Sequence, residues 1–143
     1  MQVQDIMTKD LLFIDADQSI QQAARMMRDK GVGFLGIRDQ HKDKLQGVVT
    51  DRDIVIRGIA EELNLADIPV SKAQSDKVLY CFAEDALEDA CQSMRKQQIH
   101  RLVVLDNATD KRLVGTLSLG DLVRHEKLQM ASETLKDVLR PAA

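Results

Sequence analysis

The chain has 143 residues, of which 44% are hydrophobic and 30% are charged. This length suits one compact domain, or two small ones sharing a core, and the apolar fraction is large enough to form that core. A net charge of -3 and an aromatic fraction of 3% argue against a nucleic-acid-binding protein, which usually carries a basic face or stacking aromatics.

The sequence also lacks the usual signs of a membrane or secreted protein. No apolar run reaches the roughly 18 residues of a membrane span, and the first ten residues do not have the basic and apolar regions of a secretory signal. Cys81 and Cys91 match no metal or redox spacing. We therefore expect a cytoplasmic protein without a nucleic-acid, membrane or metal partner.

One pattern occurs twice in the chain. The segment 17–55 recurs as 84–123: Met27 aligns with Met94 at an offset of 67, which becomes 68 after one residue is gained in a loop. A repeat of this kind predicts two related domains in a pseudo-two-fold arrangement. The expected division is 1–66 for the first domain with its linker, 67–129 for the second domain and 130–143 for a C-terminal tail.

The first copy predicts the order strand, helix, strand, strand, helix. Asp17 can cap the first helix and Gly31 can end it. The apolar spacing between them is helical. The other predicted elements are strands 11–14, 34–37 and 45–49, a polar loop 39–44 that contains His41, and a helix from Asp51.

The second copy predicts the same order. Asp85 and Glu88 have the spacing of a capping box, and Cys91 and Met94 fall on the apolar face of the helix that follows. The alternation of strands and helices favours an α/β fold of small sheets with flanking helices. The other predicted elements are strands 78–82, 102–105 and 113–117, a turn 107–111, a helix 119–129 and a tail 132–140 with one or two amphipathic turns.

Both copies end on the pattern Gly-x-x-[Ser/Thr]-x-x-Asp. A hydroxyl at a strand-to-helix junction, beside free helix N–H groups, can bind phosphate. A carboxylate in the next turn can accept hydrogen bonds from ribose hydroxyls. The alternative is that these residues only cap a helix. The occurrence of the motif at equivalent positions of both copies favours ligand binding. The residues are Gly47, Thr50 and Asp53 in the first copy, and Gly115, Ser118 and Asp121 in the second.

The two motifs, together with DIMTKD at 5–10 and IHRLVVLD at 99–106, resemble the CBS (cystathionine β-synthase) domain over roughly 3–124. The resemblance implies tandem CBS domains: two small β-sheets with flanking helices, and clefts that bind AMP, ADP, ATP, NAD or S-adenosylmethionine. It further implies that Asp53 and Asp121 hold ribose while Thr50 and Ser118 assist nearby.

A basic pair distinguishes the two copies. His100 and Arg101 resemble the pair that reaches phosphates in nucleotide-sensing members of the family; a solvated strand end is the alternative. Gly33 and Phe34 replace them in the first copy, where Arg52 could compensate, or where Gly33 could admit a bulkier part of a ligand. The resemblance also implies that four residues at the strand starts line the slot in which the family binds adenine: Leu12, Phe13, Leu79 and Tyr80. Core packing explains Phe13 equally well. The remaining candidate ligand-binding residues are Leu102 and Gly120.

The expected function is a regulatory ligand-sensing module, not an enzyme, that acts on an unknown partner in trans. A structural interaction protein without a nucleotide is the main alternative, and an enzyme with His100 as acid or base is a weaker one. Apolar residues on the helices that end each copy, Ile54, Ile59, Leu122 and Leu128, predict a homodimer.

Overall fold

In a computed structural model, the described residues are 1–39, 44–75 and 77–141. The predicted loop 39–44, with His41, lies mostly outside them. The chain divides into two compact units: a first-repeat unit, Leu11–Val78, and a second-repeat unit, Leu79–Ala143 together with Met1–Asp10. This division differs from the expected boundary at 66/67. The segments 3–8 and 70–75, which lead into the two repeats, each belong to the unit of the other repeat.

The first-repeat unit contains a three-stranded sheet in the order β1-β2-β3. β1 is parallel to β2, and β2 is antiparallel to β3. A 3-10 turn at Val70–Lys72 follows the helices. The elements are β1 Phe13–Asp15, α1 Ile20–Lys30, β2 Phe34–Asp39, β3 Lys44–Thr50, α2 Asp51–Asp53 and a π-helical segment Ile54–Ile59.

Helix α1 forms because its apolar positions recur at helical spacing. Ile20, Ala23 and Met27 are buried against the sheet. The predicted cap at Asp17 is wrong, because the Ser19 hydroxyl accepts from the Gln22 N–H at 3.0 Å. The predicted stop is confirmed: Gly31 has a left-handed φ of 66°, which a residue without Cβ adopts at little cost.

The second-repeat unit has the same order and the same strand directions. Its sheet is β4-β5-β6, and a 3-10 turn at Val3–Asp5 packs on it through Val3, which is fully buried in the core of this unit. The elements are β4 Tyr80–Phe82, α3 Leu87–Gln97, β5 Arg101–Leu105, β6 Leu113–Ser118, α4 Leu119–Arg124 and α5 Leu128–Val138. Two small sheets with flanking helices confirm the predicted α/β fold.

Two helix predictions in this unit are wrong. Asp85 does not form a capping box, since its carboxylate accepts from the Phe82 N–H at 2.8 Å and so closes the turn before α3. The predicted helix 119–129 is interrupted after Arg124, where Glu126 takes a φ of 60°. The chain then resumes as α5, so the helix and tail of the prediction are two short helices.

Burial sorts the apolar residues into core and surface. Met27, Cys91 and Met94 are buried, as predicted. Ile54 and Leu122 are buried as well, so they do not belong to the exposed face from which a homodimer was predicted. No helix among the described residues is long and apolar enough to cross a bilayer.

Candidate ligand-binding sites

Ser118 and Asp121 form a closed hydrogen-bonded box where β6 meets α4. The Ser118 N–H and hydroxyl donate to Oδ2 of Asp121 at 2.8 and 3.0 Å, and the Asp121 N–H donates to the Ser118 oxygen at 3.3 Å. Asp121 is 2% exposed. The alternative interpretation as a helix cap is therefore realised in the structure.

Two further donors contact the other oxygen of Asp121. The Thr8 hydroxyl donates to Oδ1 at 2.6 Å, and a guanidinium N–H of Arg124 donates to the same oxygen. A carboxylate has about four acceptor positions, and protein groups fill that number here. The Arg124 side chain is 64% exposed, so it is the donor that a ligand could replace most easily.

The first-repeat unit repeats this arrangement where β3 meets α2. The Thr50 N–H and hydroxyl donate to Oδ2 of Asp53, each at 2.9 Å. Ser75 also donates to Oδ2, and Arg57 donates to Oδ1 at 3.4 Å. Each aspartate is thus held by its own cap, by a hydroxyl of a leading segment and by an arginine one helical turn later.

The glycine of each motif makes room for the leading segment. Thr8 and Thr116 exchange backbone hydrogen bonds of 2.9 and 3.0 Å. A Cβ on Gly115 would lie 2.8 Å from the Thr8 carbonyl oxygen. A Cβ on Gly47 would lie 3.0 Å from the side-chain oxygen of Gln74. The conformation of the site therefore depends on a close approach that a larger residue would block.

The predicted phosphate-binding positions lie beside the hydroxyls of the motifs. Arg101 is opposite Ser118 in the β5–β6 register, and Phe34 is opposite Thr50 in the β2–β3 register. His100 and Arg101 are exposed. Their neighbour Leu102 is fully buried and packs in the core.

In the first copy, a carboxylate occupies the space beside Gly33. A Cβ on Gly33 would lie 2.8 Å from the Asp51 side chain, so the missing side chain makes room for Asp51. Arg52 is exposed. Arg57, and not Arg52, is the arginine that pairs with Asp53. The two sites therefore differ in charge as well as in sequence.

Of the four predicted adenine-binding residues at the strand starts, the two leucines pack against the cores and Tyr80 is exposed. Leu12 and Leu79 pack against the two cores. The Phe13 ring lies 6.0 Å from the guanidinium carbon of Arg38, within cation–π range. Tyr80 is 47% exposed, so its ring is accessible to a ligand. Gly120, also exposed, lies under the guanidinium of Arg124.

Four residues of these sites were not predicted: Thr8, Ser75, Arg57 and Arg124. A signal for the first two exists, because the repeat aligns VQDIMT with VSKAQS and so places a hydroxyl at the same position in both leading segments. The arginines lie three or four positions after the aspartates, a spacing that brings side chains together on a helix.

Comparison with known proteins agrees with this architecture. Residues 3–58 and 66–127 each match the model of the CBS domain. The chain belongs to the CBS domain family and contains two repeats of it.

Three similar proteins show what the family contains. The CBS domain-containing protein YhcV of Bacillus subtilis is 35% identical over 137 residues, which cover 96% of this chain and 91% of YhcV. A crystal structure of Hypoxic Response Protein I with two coordinated zinc ions is 30% identical, with a TM-score of 0.75, and covers 87% of this chain and 98% of its own. The CBS domain protein PAE2072 from Pyrobaculum aerophilum, complexed with AMP, is 23% identical, with a TM-score of 0.76 and coverage of 92% and 99%.

Proposed function

We propose that the chain is a regulatory module that binds an adenosine-containing nucleotide, AMP, ADP, ATP or NAD, and acts on a partner protein in trans. The observation that carries the proposal is the repetition of one arrangement, cap, leading-segment hydroxyl and arginine, around Asp53 and Asp121. The AMP complex of PAE2072 supports the choice of ligand class.

The chemistry of the site suggests how ribose would enter. The Arg124 side chain is 64% exposed whereas Asp121 is buried. A ribose hydroxyl could therefore replace Arg124 on Oδ1, because the guanidinium would return to water and the buried carboxylate would keep a donor. The released guanidinium would then be available to a phosphate, for which its planar set of donors is well suited. Arg101, beside Ser118, would supply a second cation.

A structural role is the second candidate, and one observation favours it. Protein donors fill the acceptor positions of Asp121, which is what a helix cap alone requires. In this case the family fold would serve protein interaction without a nucleotide.

Binding experiments separate the two. Isothermal titration calorimetry and thermal unfolding with AMP, ADP, ATP, NAD and adenosine, with CMP as control, should give saturable heat and a raised melting temperature for the adenine compounds, since a ligand of the native state stabilises it. Equal, negligible effects of AMP and CMP would favour the structural role.

We further propose that the module is not catalytic and that it resides in the reducing cytoplasm. No hydrogen bond of the His100 side chain to a carboxylate is found among the described residues, so a general base would lack its orienting partner. Cys81 and Cys91 are free thiols, as is usual in that compartment. Incubation with ATP or NAD should leave both compounds unchanged; turnover by the purified protein would contradict the proposal.

We also propose a homodimer. The first-repeat unit exposes Val55, Ile56 and Ile59 by 46–56%, and the second-repeat unit exposes Val123 and Leu128 by 53% and 61%. Water-exposed apolar side chains of this number often mark an interface. Light scattering at tens of micromolar should give the dimer mass, and Ile59→Glu should lower it toward the monomer, whereas Arg25→Glu at another exposed helix position should not.

A further inference from the structure

We infer that Thr8 and Ser75 are positioning residues for the two site aspartates, each supplied by the leading segment of the other repeat. The inference rests on the proposed function, since it concerns how Asp121 and Asp53 are presented to a ribose. It assigns a role to two residues outside the Gly-x-x-[Ser/Thr]-x-x-Asp motif.

The Thr8 hydroxyl is held in place on the backbone side. Thr8 forms an antiparallel bridge with Thr116, with hydrogen bonds in both directions. The preceding Met7 packs against the core of the second-repeat unit. Since backbone and neighbour are fixed, the hydroxyl that donates to Asp121 at 2.6 Å has little freedom to move.

The donors to Asp121 have different parts in this arrangement. Ser118 holds Oδ2 with two hydrogen bonds from the same turn. Oδ1 is held by Thr8 and by Arg124, of which Arg124 is largely exposed. When a ribose hydroxyl takes the position of Arg124, Thr8 is the donor that still fixes Oδ1. Its hydroxyl therefore sets the direction in which Asp121 presents its free acceptor position.

A related contact, to the other oxygen, occurs independently in the first-repeat unit. Ser75 donates to Oδ2 of Asp53, the oxygen that Thr50 also contacts, so it fixes the carboxylate while Oδ1 faces Arg57. The Ser75 N–H donates to the Val48 carbonyl at 2.9 Å, next to the motif glycine Gly47. Thr8 and Ser75 are equivalent positions of the repeat, 67 apart. A chance hydrogen bond at the surface would not be expected at equivalent positions of both repeats, so the hydroxyl-to-carboxylate contact is a feature of the repeat.

The test compares adenosine with 2′-deoxyadenosine, because a structural defect affects both ligands alike whereas loss of carboxylate positioning affects the hydroxylated sugar. Thr8→Val is made in an Asp53→Asn background, so that the site of Asp121 dominates binding. We expect the affinity for adenosine to fall about tenfold, the size of one hydrogen bond to a charged group, and the affinity for 2′-deoxyadenosine to change less than about twofold.

Matched variants complete the experiment. Thr8→Ser keeps the hydroxyl and should restore discrimination between the two sugars, and Thr109→Val, the same exchange in an exposed turn, should not alter it. Ser75→Ala in an Asp121→Asn background should reproduce the loss at the other site. Parallel changes for both ligands, or none, would overturn the inference while leaving the proposed function intact. Wild-type protein that binds neither ligand would overturn the proposed function and the inference with it.

Discussion

Thr8 and Asp121 lie 113 positions apart in the chain, and their side chains are joined by a hydrogen bond of 2.6 Å. This contact ties the first residues of the chain to the second repeat. Around it, Val3 and Ile6 are buried in the core of the second-repeat unit. The leading segment is therefore a structural part of that unit as well as a contributor to its candidate site.

Asp121→Ala should destabilise the protein as well as weaken ligand binding. The carboxylate is almost fully buried and accepts from Ser118, Thr8 and Arg124. The N-cap Ser118 remains, but its N–H and the Thr8 hydroxyl lose their buried acceptor, which costs about 1–3 kcal/mol. The Arg124 side chain is 64% exposed, so its guanidinium is hydrated when the carboxylate is removed and leaves no unpaired buried group. Urea unfolding without ligand measures the effect.

The matched control for Asp121→Ala is Asp29→Ala. Asp29 pairs with Arg28 on the surface, where both side chains are more than half exposed. Its removal should change the free energy of unfolding by less than about 0.5 kcal/mol. Equal stabilities for the two variants would show that the buried hydrogen bonds of Asp121 contribute nothing measurable, and a role in ligand binding alone would then be the better account.

Gly115→Ala should destabilise the protein more than Gly47→Ala, although both glycines occupy the same motif position. The new methyl group at Gly115 would lie 2.8 Å from a backbone carbonyl oxygen of Thr8, which cannot rotate away. At Gly47 it would meet the end of the Gln74 side chain at 3.0 Å, and that side chain can move. Overpacking of this kind costs about 1–3 kcal/mol. Thermal unfolding of both variants tests this difference. Equal melting temperatures would contradict it.

The fold was predictable from the sequence because the repeat and the apolar periodicity are local signals. The order of strands and helices along the chain, the helix α1 with its stop at Gly31, and the buried positions Cys91 and Met94 follow from them. The two incorrect caps share a cause. Asp17 and Asp85 are plausible caps by residue type, but the choice of Ser19, and of a turn bond to Phe82, depends on backbone geometry that spacing does not specify.

The site was less predictable, because its partners come from distant parts of the chain. The motif positions Ser118 and Asp121 are three apart and visible in the sequence, whereas Thr8 reaches them only after the leading segment pairs with Thr116. The motif glycine could also be recognised in the sequence. The sequence did not show why a glycine is needed there, which is that the leading segment passes close to it. Whether a ribose binds at these positions stays a prediction.

Cys81 and Cys91 should resist thiol reagents in the folded protein. Burial, with a smaller contribution from the charge of Asp85, raises the pKa of Cys81 from 9.0 to about 12. Burial also raises the pKa of Cys91. A raised folded-state pKa favours the folded protein fully below pH 9, and this stabilisation is lost as the pH rises toward 12.

At pH 8, both thiols should therefore label slowly under native conditions and rapidly in denaturant, since the thiolate is the reactive form. Kinetics with an aromatic disulfide reagent, followed by mass spectrometry, measure each thiol separately. A fast native phase at either cysteine would mean that burial does not protect it.

Arg101→Gln should weaken the binding of AMP much more than the binding of adenosine. Arg101 lies opposite Ser118 in the strand register and is exposed, so its charge can reach a phosphate placed at the start of α4. The first copy has Phe34 at this position and the Asp51 carboxylate nearby, which makes that site less favourable for an anion. A charge-assisted hydrogen bond contributes about 1.5–3 kcal/mol, equivalent to roughly ten- to hundredfold in affinity.

Calorimetry with both ligands should show this loss for AMP at one of two unequal sites and little change for adenosine. Arg112→Gln removes the same charge from an exposed position before β6 and should leave both affinities unchanged. Two identical sites in the wild type, or equal losses for AMP and adenosine in Arg101→Gln, would contradict the assignment of Arg101 to the phosphate.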